Sequence, residues 1–390
     1  MPGHPGRAPD ASGPRRLLYQ RLGLSALVAM NGPPPQRSLS VAPGGSGDPM
    51  PCPAPPDLPS VSVIIPTHNR ADLVELVVLE VLEDPGATQV VVAADGCTDS
   101  TIPTLGQVGA LDPRLKILAL ERRGKLAAIE AAIAVAEGEV LLFLDDDVIP
   151  GPGLVTGHAR HHQARAGLVV AGYMPVVSPR QDRTATPTAL YATEYEANSL
   201  RMQQHPESVL RSLWGGNLSI RSDDCRRVGF SSPNYPDLYH EDQELGLRCA
   251  QGGLTGVFDR NLRAYHAHRA SHRTFLRDAQ SQGAGQWLLH SLHPDLMGPF
   301  NAERFTSGLP GPARLIVRAS RRPMVAAGTR QGLAGLAATA QWFGAQGLES
   351  LALRLARRVE QQRGALMLAR GRRRPEEMSR RLVGAGQPSS

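Results

Sequence analysis

The 390-residue chain has little cysteine, almost no lysine and few aromatic residues, and these shortages exclude several classes of protein. Its four cysteines lie far apart, with neither the paired spacing of a zinc site nor the density of a disulfide scaffold. We therefore expect a reducing, intracellular setting. With 41% hydrophobic residues, the chain can still bury a full core.

Long hydrophobic runs are also missing. The stretch Gln331–Leu348 is uncharged, but its Gln, Thr and Gly residues make it a poor membrane span. The stretch Leu17–Met30 is interrupted by Arg21 and has no clear small-residue cleavage pattern. We therefore interpret it as a short amphipathic helix and not as a secretory signal.

Charge is distributed unevenly along the chain. Residues 301–390 hold 16 Arg and 5 acidic residues, a net charge of +11, whereas residues 1–300 carry −5. This basic tail lacks the interleaved aromatics and the recognisable module of a nucleic-acid binder, so nucleic acid is not the expected partner. An anionic membrane surface fits better, and a solvated helical face is the simpler alternative. We expect a cytoplasmic protein that can sit at the inner face of the membrane.

Three segments are predicted from composition and periodicity. Residues 1–58 are rich in Pro, Gly and Ser and predict a disordered or linker-like segment. Residues 59–300 alternate between strand and helix patterns, regularly as far as Pro152 and less regularly after it, and residues 301–390 predict a basic helical extension. The predicted strands are Val61–Ile65, Gln89–Ala93, Leu115–Leu120, Val140–Leu144 and Leu168–Gly172. The predicted helices are Ala71–Leu82, Ser100–Val108, Lys125–Ala136, Thr188–Gln204 and Ser271–Leu292.

This alternation predicts an α/β fold with a mostly parallel central sheet flanked by helices, in which ligands bind at the carboxyl ends of the strands. Three loops fall at that edge: Pro66–Arg70, Asp95–Ser100 and Asp145–Asp147. The last is a run of three carboxylates, which repel one another unless a positive charge lies among them. Mg²⁺ or Mn²⁺ shared with a substrate phosphate would supply that charge, whereas a polar turn is the plain alternative.

Five motifs in order resemble the family-two glycosyltransferases, which have the nucleotide-sugar-binding GT-A fold. The motifs are Val63–Arg70, Ala94–Thr101, Leu144–Asp147, Trp214–Ser219 and Glu241–Leu245. The resemblance covers about residues 60–292. It implies a metal-dependent inverting enzyme that moves one sugar from a nucleotide-diphosphate sugar to a hydroxyl of a glycan, a lipid-linked sugar or a small molecule. A non-catalytic nucleotide-sugar or glycan-binding protein on the same fold is the alternative.

The resemblance implies a set of donor-binding residues. Lys125, one of only two lysines beside 40 arginines, follows Gly124 at a predicted helix start, where the ammonium and the helix N-terminus would both face the diphosphate. Arg122 and Arg123 are reserve candidates for that role. The remaining donor-binding candidates are Pro66, Thr67, Asn69, Asp95 and Asp146. In the plainer interpretation, Asn69 caps a helix and Asp95 begins a turn.

The family's DxD motif corresponds to the aspartate run. Asp145 and Asp147 match its outer positions and would hold Mg²⁺ or Mn²⁺, while Asp146 would face the ribose or support its neighbours. A histidine from the second half often completes the site in such enzymes. His266 and His268 are the two choices here, and a polar strand with no ligand role is the alternative.

The acceptor side of the resemblance rests on the last two motifs. Asp242 matches the family's general base and Glu241 would support it, although acidic residues in the first turn of a helix need no catalytic role. Trp214, Gly215, Gly216 and Asn217 would form an acceptor wall, with the indole against a sugar face.

Two departures from the family concern the nucleotide contacts. Ala94 stands where many members have Asp, and Ile129–Ala131 stands where many have Arg-Asn. The Gln-x-x-Arg-Trp motif of processive synthases is absent from the sequence, so we expect transfer of one sugar.

Overall fold

A computed structural model describes residues 12–24, 27, 57–177 and 185–371. Its strands are β1 (Val61–Thr67), β2 (Ala87–Asp95), β3 (Leu115–Leu120), β4 (Val140–Leu144), β5 (Val148–Pro150), β6 (Leu168–Tyr173), β7 (Asn217–Arg221) and β8 (Thr255–His266). Its α-helices are α1 (Ser12–Arg21), α2 (Ala71–Leu82), α3 (Thr101–Gly109), α4 (Lys125–Val135), α5 (Leu154–Ala164), α6 (Ala185–Gln204), α7 (Ser222–Val228), α8 (Glu241–Gln251), α9 (His272–Leu292), α10 (Pro294–Met297), α11 (Gly311–Ala319), α12 (Pro323–Trp342) and α13 (Gln346–Ala369).

The strands form one eight-stranded sheet in the order β3-β2-β1-β4-β7-β6-β8-β5. Strands β3, β2, β1 and β4 are mutually parallel. Strand β7 is antiparallel to both β4 and β6, and β8 is parallel to β6 but antiparallel to β5. The predicted α/β class, with a sheet flanked by helices and a helical C-terminal region, is confirmed. The second half of the sheet is mixed, not parallel.

Helices cover both faces of the parallel strands. Strand β1 is buried along its whole length. Val63 and Ile65 pack into the core cluster that includes Val74 and Val77 of α2, while Ile64 packs into the cluster that includes Ile129 of α4. Burial on both faces explains why β1 reads as an unbroken hydrophobic run.

The N-terminal region departs from the linker prediction over residues 12–24. Helix α1 packs on the core through Leu18 and Tyr19, which are buried. The Tyr19 hydroxyl and the Arg15 guanidinium each lie 3.1 Å from a carboxylate oxygen of Glu80 in α2. The amphipathic helix predicted for Leu17–Met30 therefore begins earlier, while most of the remaining linker prediction lies outside the described residues.

The helical extension packs closely against α9. A Cβ atom added to Gly283 of α9 would lie 1.7 Å from the backbone oxygen of Gln361, and one added to Gly364 of α13 would lie 1.9 Å from the backbone oxygen of Gln280. The two helix backbones therefore touch at these glycines. Across the described part of the chain, no helix is both long and apolar enough to cross a membrane.

Candidate active site

The three loops predicted at one sheet edge do meet there. The Thr67 hydroxyl at the end of β1 donates to Oδ2 of Asp146 at 2.7 Å. Nδ1 of His68 lies 2.7 Å from the backbone oxygen of Asp95 at the end of β2. The carboxyl ends of β1, β2 and β4 are thus joined by hydrogen bonds between their loops.

Two of the predicted donor residues hold these loops in shape. Asn69 has a φ of 52°, and its Oδ1 accepts from the backbone N–H of Thr98 at 2.8 Å. It does not cap α2, which has no side-chain cap among its described contacts. The Asp95 carboxylate accepts from the backbone N–H groups of Arg123 and Gly124, at 2.7 and 3.0 Å. The nucleotide contacts expected of Pro66, Asn69 and Asp95 stay predictions.

Arg70 is a site residue that sequence reasoning missed. Its Nη1 lies 2.9 Å from Oδ1 of Asp146 and 2.7 Å from Oδ2 of Asp147. The Asp146 carboxylate raises the pKa of Arg70, and burial raises the pKa of Asp146 to about 6. One feature of the sequence could have identified Arg70. A cation at the N-terminus of a helix is repelled by the helix dipole, so its presence there indicates a nearby carboxylate that offsets the repulsion.

The two candidate histidines have different surroundings. Nε2 of His266 lies 3.3 Å from Oδ1 of Asp147, and its buried Nδ1 has no partner among the described residues. His268 instead stacks on the ring of Tyr191, with 4.2 Å between ring centroids. Burial would raise the pKa of Asp147, but His266 and Arg70 outweigh it and lower that pKa. His266, and not His268, therefore contacts the aspartate run.

Asp147 and His266 fit a divalent cation as two neighbouring ligands. With bonds of about 2.1 Å, adjacent ligands of an octahedral ion lie about 3 Å apart, close to the 3.3 Å between Oδ1 of Asp147 and Nε2 of His266. Within the described ranges, no three His, Cys, Asp or Glu side chains form a complete metal site. The remaining positions would thus fall to substrate phosphate and water, as is common for Mg²⁺.

Lys125 faces the first aspartate of the run. It begins α4, as predicted, and its Nζ lies 2.8 Å from Oδ1 of Asp145. Burial would lower the pKa of Lys125, but Asp145, Glu241 and Asp242 raise it well above the usual value. The lysine therefore remains cationic between the aspartate run and the two residues Glu241 and Asp242, which we call the acidic pair.

Gly215 and Gly216 lie between the carboxylates of Asp145 and Asp242. A Cβ on Gly216, whose φ is +96°, would lie 2.8 Å from Oδ2 of Asp145, and a Cβ on Gly215 would lie 2.4 Å from Oδ1 of Asp242. The backbone N–H of Gly215 also donates to Oδ2 of Asp242 at 2.8 Å. Only residues without a side chain fit between these carboxylates, so the glycine pair sets their separation.

The acidic pair stands at the start of α8, after His240 with its φ of 80°. Burial and the neighbouring Asp242 raise the pKa of Glu241 to about 8, and burial also raises the pKa of Asp242. Glu244, one turn later, is engaged elsewhere, with Oε2 2.8 Å from Nε of Arg248. Glu241 and Asp242 are therefore distinct from the structural carboxylate of the same helix.

Some residues of the predicted acceptor wall, but not all, line the cleft that contains Asp145 and Asp242. Trp214 and Gly215 line it, and the indole packs edge-on against the rings of Tyr191 and Tyr195. Asn217 was predicted to contact the acceptor, but its side chain is fully buried and its Nδ2 donates to the backbone oxygen of Leu262 at 3.0 Å. Its Oδ1 lies 2.9 Å from Nε2 of His158, so both ends of the amide are used inside the protein.

The acidic pair, Lys125 and Asp145 open into one cleft of about 540 Å³. Its walls also include residues from the helical extension that sequence reasoning did not connect with the site. These are Arg304, Phe305, Arg358 and Gln361.

Residues 62–229 match the family described as glycosyl transferase family 2. This match confirms the resemblance over residues 62–229, which contain the first four motifs, whereas the fifth motif, Glu241–Leu245, lies outside it. The chain is 32% identical over 113 residues to the uncharacterized glycosyltransferase YfnE of Bacillus subtilis, covering 28% of this chain and 29% of that protein. It is 25% identical over 255 residues to the validoxylamine A glucosyltransferase of Streptomyces hygroscopicus subsp. jinggangensis, covering 55% and 57%. The chain thus spans well under two thirds of these relatives' lengths.

Among solved structures, one similar chain is the mannosyltransferase PcManGT of Pyrobaculum calidifontis, determined with GDP-Man and Mn²⁺. The sequence identity is 18% and the TM-score is 0.46, with 96% of this chain and 95% of that chain covered.

Proposed function

Because residues 62–229 match glycosyl transferase family 2, we propose that this protein is a metal-dependent inverting glycosyltransferase. It moves one sugar from a nucleotide-diphosphate sugar to an acceptor hydroxyl, in the synthesis of a glycan, a glycolipid or a glycosylated metabolite. Residues 59–300 form its GT-A transferase domain, and residues 301–390 form its basic extension.

One structural observation supports the single displacement in this proposal. Gly215 and Gly216 separate Asp145, on the side of the aspartate run, from Asp242, on the side of the acidic pair. A sugar whose diphosphate lies beside Asp145 would therefore present its anomeric carbon toward Asp242. Attack from that side, opposite the leaving diphosphate, is one displacement and inverts the anomeric configuration.

Asp242 acts as the general base in this scheme. Its carboxylate takes the proton of the acceptor hydroxyl as the oxygen attacks, and burial, which raises its pKa, makes it the stronger base. The hydrogen bond from the Gly215 N–H to Oδ2 of Asp242 orients the carboxylate and leaves Oδ1 for the substrate. Glu241, with a pKa of about 8, is protonated at neutral pH and donates a hydrogen bond to the acceptor.

The donor end is organised around charge. Asp147 and His266, with Asp145 close by, would hold the divalent ion, Mg²⁺ or Mn²⁺. When bound, that ion supplies Lewis acidity at the diphosphate. Lys125 adds a fixed positive charge at the start of α4, where backbone N–H groups also favour an anion. Pro66, Thr67, Asn69, Asp95 and Asp146 are our proposed contacts to base and ribose.

We further propose that the extension docks on an anionic membrane surface through α12. Met324, Trp342 and Phe343 are 90%, 81% and 77% exposed. Met324 and Trp342 are spaced i, i+18 and the exposed Val325 and Leu336 are spaced i, i+11, so the members of each pair lie on the same side of the helix, and Phe343 follows its last residue. Arg330 carries the one charge of α12, and it lies 3.5 Å from a carboxylate oxygen of Glu360.

Charge complementarity favours anionic lipid as the occupant of this apolar face. Arg314 and Arg322 precede it, and the segment 301–390 carries +11 overall. The test is flotation with vesicles containing phosphatidylglycerol, comparing Trp342→Ser/Phe343→Ser with Leu111→Ser, whose leucine is 87% exposed elsewhere. The double variant should stay unbound while the control floats. Equal flotation of both would contradict the docking face.

Donor binding and turnover together test the transferase proposal. A thermal-shift screen of UDP-, GDP- and dTDP-sugars with Mg²⁺ or Mn²⁺ should find a donor that raises the melting temperature. Asp242→Asn should keep that shift but lower turnover by roughly 10²- to 10⁴-fold, because only the base is removed. Asp223→Asn is the matched control, since Asp223 is fully exposed on α7.

Unchanged turnover in Asp242→Asn would refute the assignment of the base. Donor binding without turnover in the unmodified chain, across a broad acceptor panel, would favour the non-catalytic alternative.

A further inference from the structure

The cleft extends from the acidic pair to two arginines of the extension. Arg304 belongs to the 3₁₀ helix Ala302–Phe305, and Arg358 belongs to α13. Both line the same cleft as Asp242. Because 54 residues separate them in sequence, only the packing of the extension brings them together. We call Arg304 and Arg358 the arginine pair.

The position of Arg358 is fixed by the packing of α13 on α9. Gln361 and Arg357 flank Arg358, and both donate to Oε1 of Gln282 in α9, at 3.0 and 2.9 Å. At Gly283 the backbones of the two helices are in direct contact. Arg358 is therefore carried by a rigid wall of the cleft and not by a loop.

The arginine pair lacks a carboxylate partner. Arg358 forms no hydrogen bond or ion pair within the part of the chain that the structure describes, and Arg304 contacts a nitrogen of His290. Glu194, which also lines the cleft, is already paired with Arg357. The other acidic groups of the cleft lie around Lys125.

The pair is surrounded by more positive than negative charge. Burial and the charge of Arg358 lower the pKa of Arg304. Burial and the charge of Arg357 lower the pKa of Arg358, and the opposing effect of Glu194, which is shared with Arg357, does not outweigh them. His240 stays neutral, with a pKa lowered to about 3 by burial and by Arg304 and Arg357. Guanidinium groups that repel one another in a cleft are stabilised by an anion that both can contact.

We propose that the arginine pair binds a phosphate or carboxylate group of the acceptor. The proposed transferase function is the premise that makes this ligand the acceptor. Charge separates the pair from the donor end, where Lys125 is already matched by Asp145. The acceptor is therefore an anionic hydroxyl compound whose hydroxyl lies at Asp242 while its charged group contacts Arg304 and Arg358.

The test uses the full chain and two soluble probes, inorganic phosphate and glucose 6-phosphate, with glucose as the uncharged match. Binding is measured by calorimetry at constant ionic strength. Arg358→Gln should weaken binding of both anions by about tenfold or more, because a guanidinium that donates to a charged group is lost. Arg354→Gln, an exposed arginine one turn earlier on α13, should leave binding unchanged.

A second variant protects the test against a folding defect. Arg358→Lys retains the charge but not the planar fork, and it should bind the anions with intermediate affinity while keeping the melting temperature of Arg354→Gln. Equal binding by Arg358→Gln and Arg354→Gln would overturn the proposal, as would equal affinity for glucose and glucose 6-phosphate.

Two further arms separate this proposal from its premise. Donor binding with Mn²⁺ is measured in parallel and should be the same in Arg358→Gln as in the unmodified chain. If anions bind at the pair but no nucleotide sugar binds anywhere, the proposed function fails while the anion site stands. Displacement of glucose 6-phosphate by vesicles containing phosphatidic acid would support the site with a lipid phosphate as its source, and displacement by soluble phosphates alone would support it with a soluble acceptor.

Discussion

Gly215→Ala offers a way to move the proposed base without changing its chemistry. A Cβ at this position would lie 2.4 Å from Oδ1 of Asp242, whereas ordinary contacts begin at 3.4 Å, so the carboxylate must shift by about 1 Å. No positive φ is needed at Gly215, so alanine adds no backbone strain there. The perturbation is confined to the position of one side chain.

A shift of about 1 Å in a reacting group costs on the order of 10²-fold in rate, which corresponds to about 2.7 kcal/mol of activation free energy. The rate is measured as release of nucleoside diphosphate from the donor found by thermal shift, with water as acceptor. Donor binding should be retained, because the three atoms nearest to the new methyl group all belong to Asp242. Gly328→Ala is the control, since a Cβ there meets nothing within 4 Å.

Two results would refute this reasoning. A turnover rate equal to that of Gly328→Ala would mean that Asp242 does not need its observed position. Loss of donor binding in proportion to the rate would mean that Gly215 belongs to the donor end and not to the acceptor end.

Three other predictions concern the site and its support. Glu241 has a pKa of about 8 in the folded protein against 4.5 in the unfolded chain, so its contribution to stability is present below pH 4.5 and is lost as the pH rises through 8. Glu241→Gln should therefore flatten the dependence of the unfolding free energy on pH over this range, as measured by urea unfolding. An unchanged dependence on pH would contradict the shift. His266→Ala should weaken Mn²⁺ binding in the presence of nucleoside diphosphate by about tenfold or more, whereas His268→Ala should not, as measured by electron paramagnetic resonance; equal losses would contradict the choice of ligand. Gly283→Ala should destabilise the fold by about 1–3 kcal/mol through overpacking against Gln361. Gly328→Ala in α12 should instead stabilise it by up to about 1 kcal/mol, because a Cβ there meets nothing within 4 Å. Equal unfolding midpoints of the two variants would show that α9 and α13 can move apart to accept the methyl group.

The first half of the sheet was predictable because its strands are buried on both faces. Val140–Leu144 was predicted to the residue as β4, because its five apolar residues lie between the charged Glu139 and Asp145. Strand β7 was not predicted, because its core positions include Asn217 and Ser219. The Ser219 hydroxyl lies 2.8 Å from nitrogens of both His158 and His162, so the polarity of this strand is satisfied by a helix 57 or more residues earlier.

The same reason explains which site residues were missed or misassigned. Asp145, Lys125 and Asp242 could be proposed as site residues because each sits in a short local motif. Asn217 also sits in such a motif, but its role as a buried amide depends on a contact to His158 that no local pattern shows. Arg358 was missed for a related reason, since only the packing of α13 on α9 carries it into the cleft.

Product stereochemistry tests the central claim, a single displacement with Asp242 as base, most directly. The donor that raises the melting temperature is incubated with the protein and Mn²⁺, and the anomer of the released or transferred sugar is read by proton NMR before mutarotation. The site geometry predicts inverted configuration, with no signal from Asp242→Asn. Retained configuration, or an undiminished signal from that variant, would contradict it.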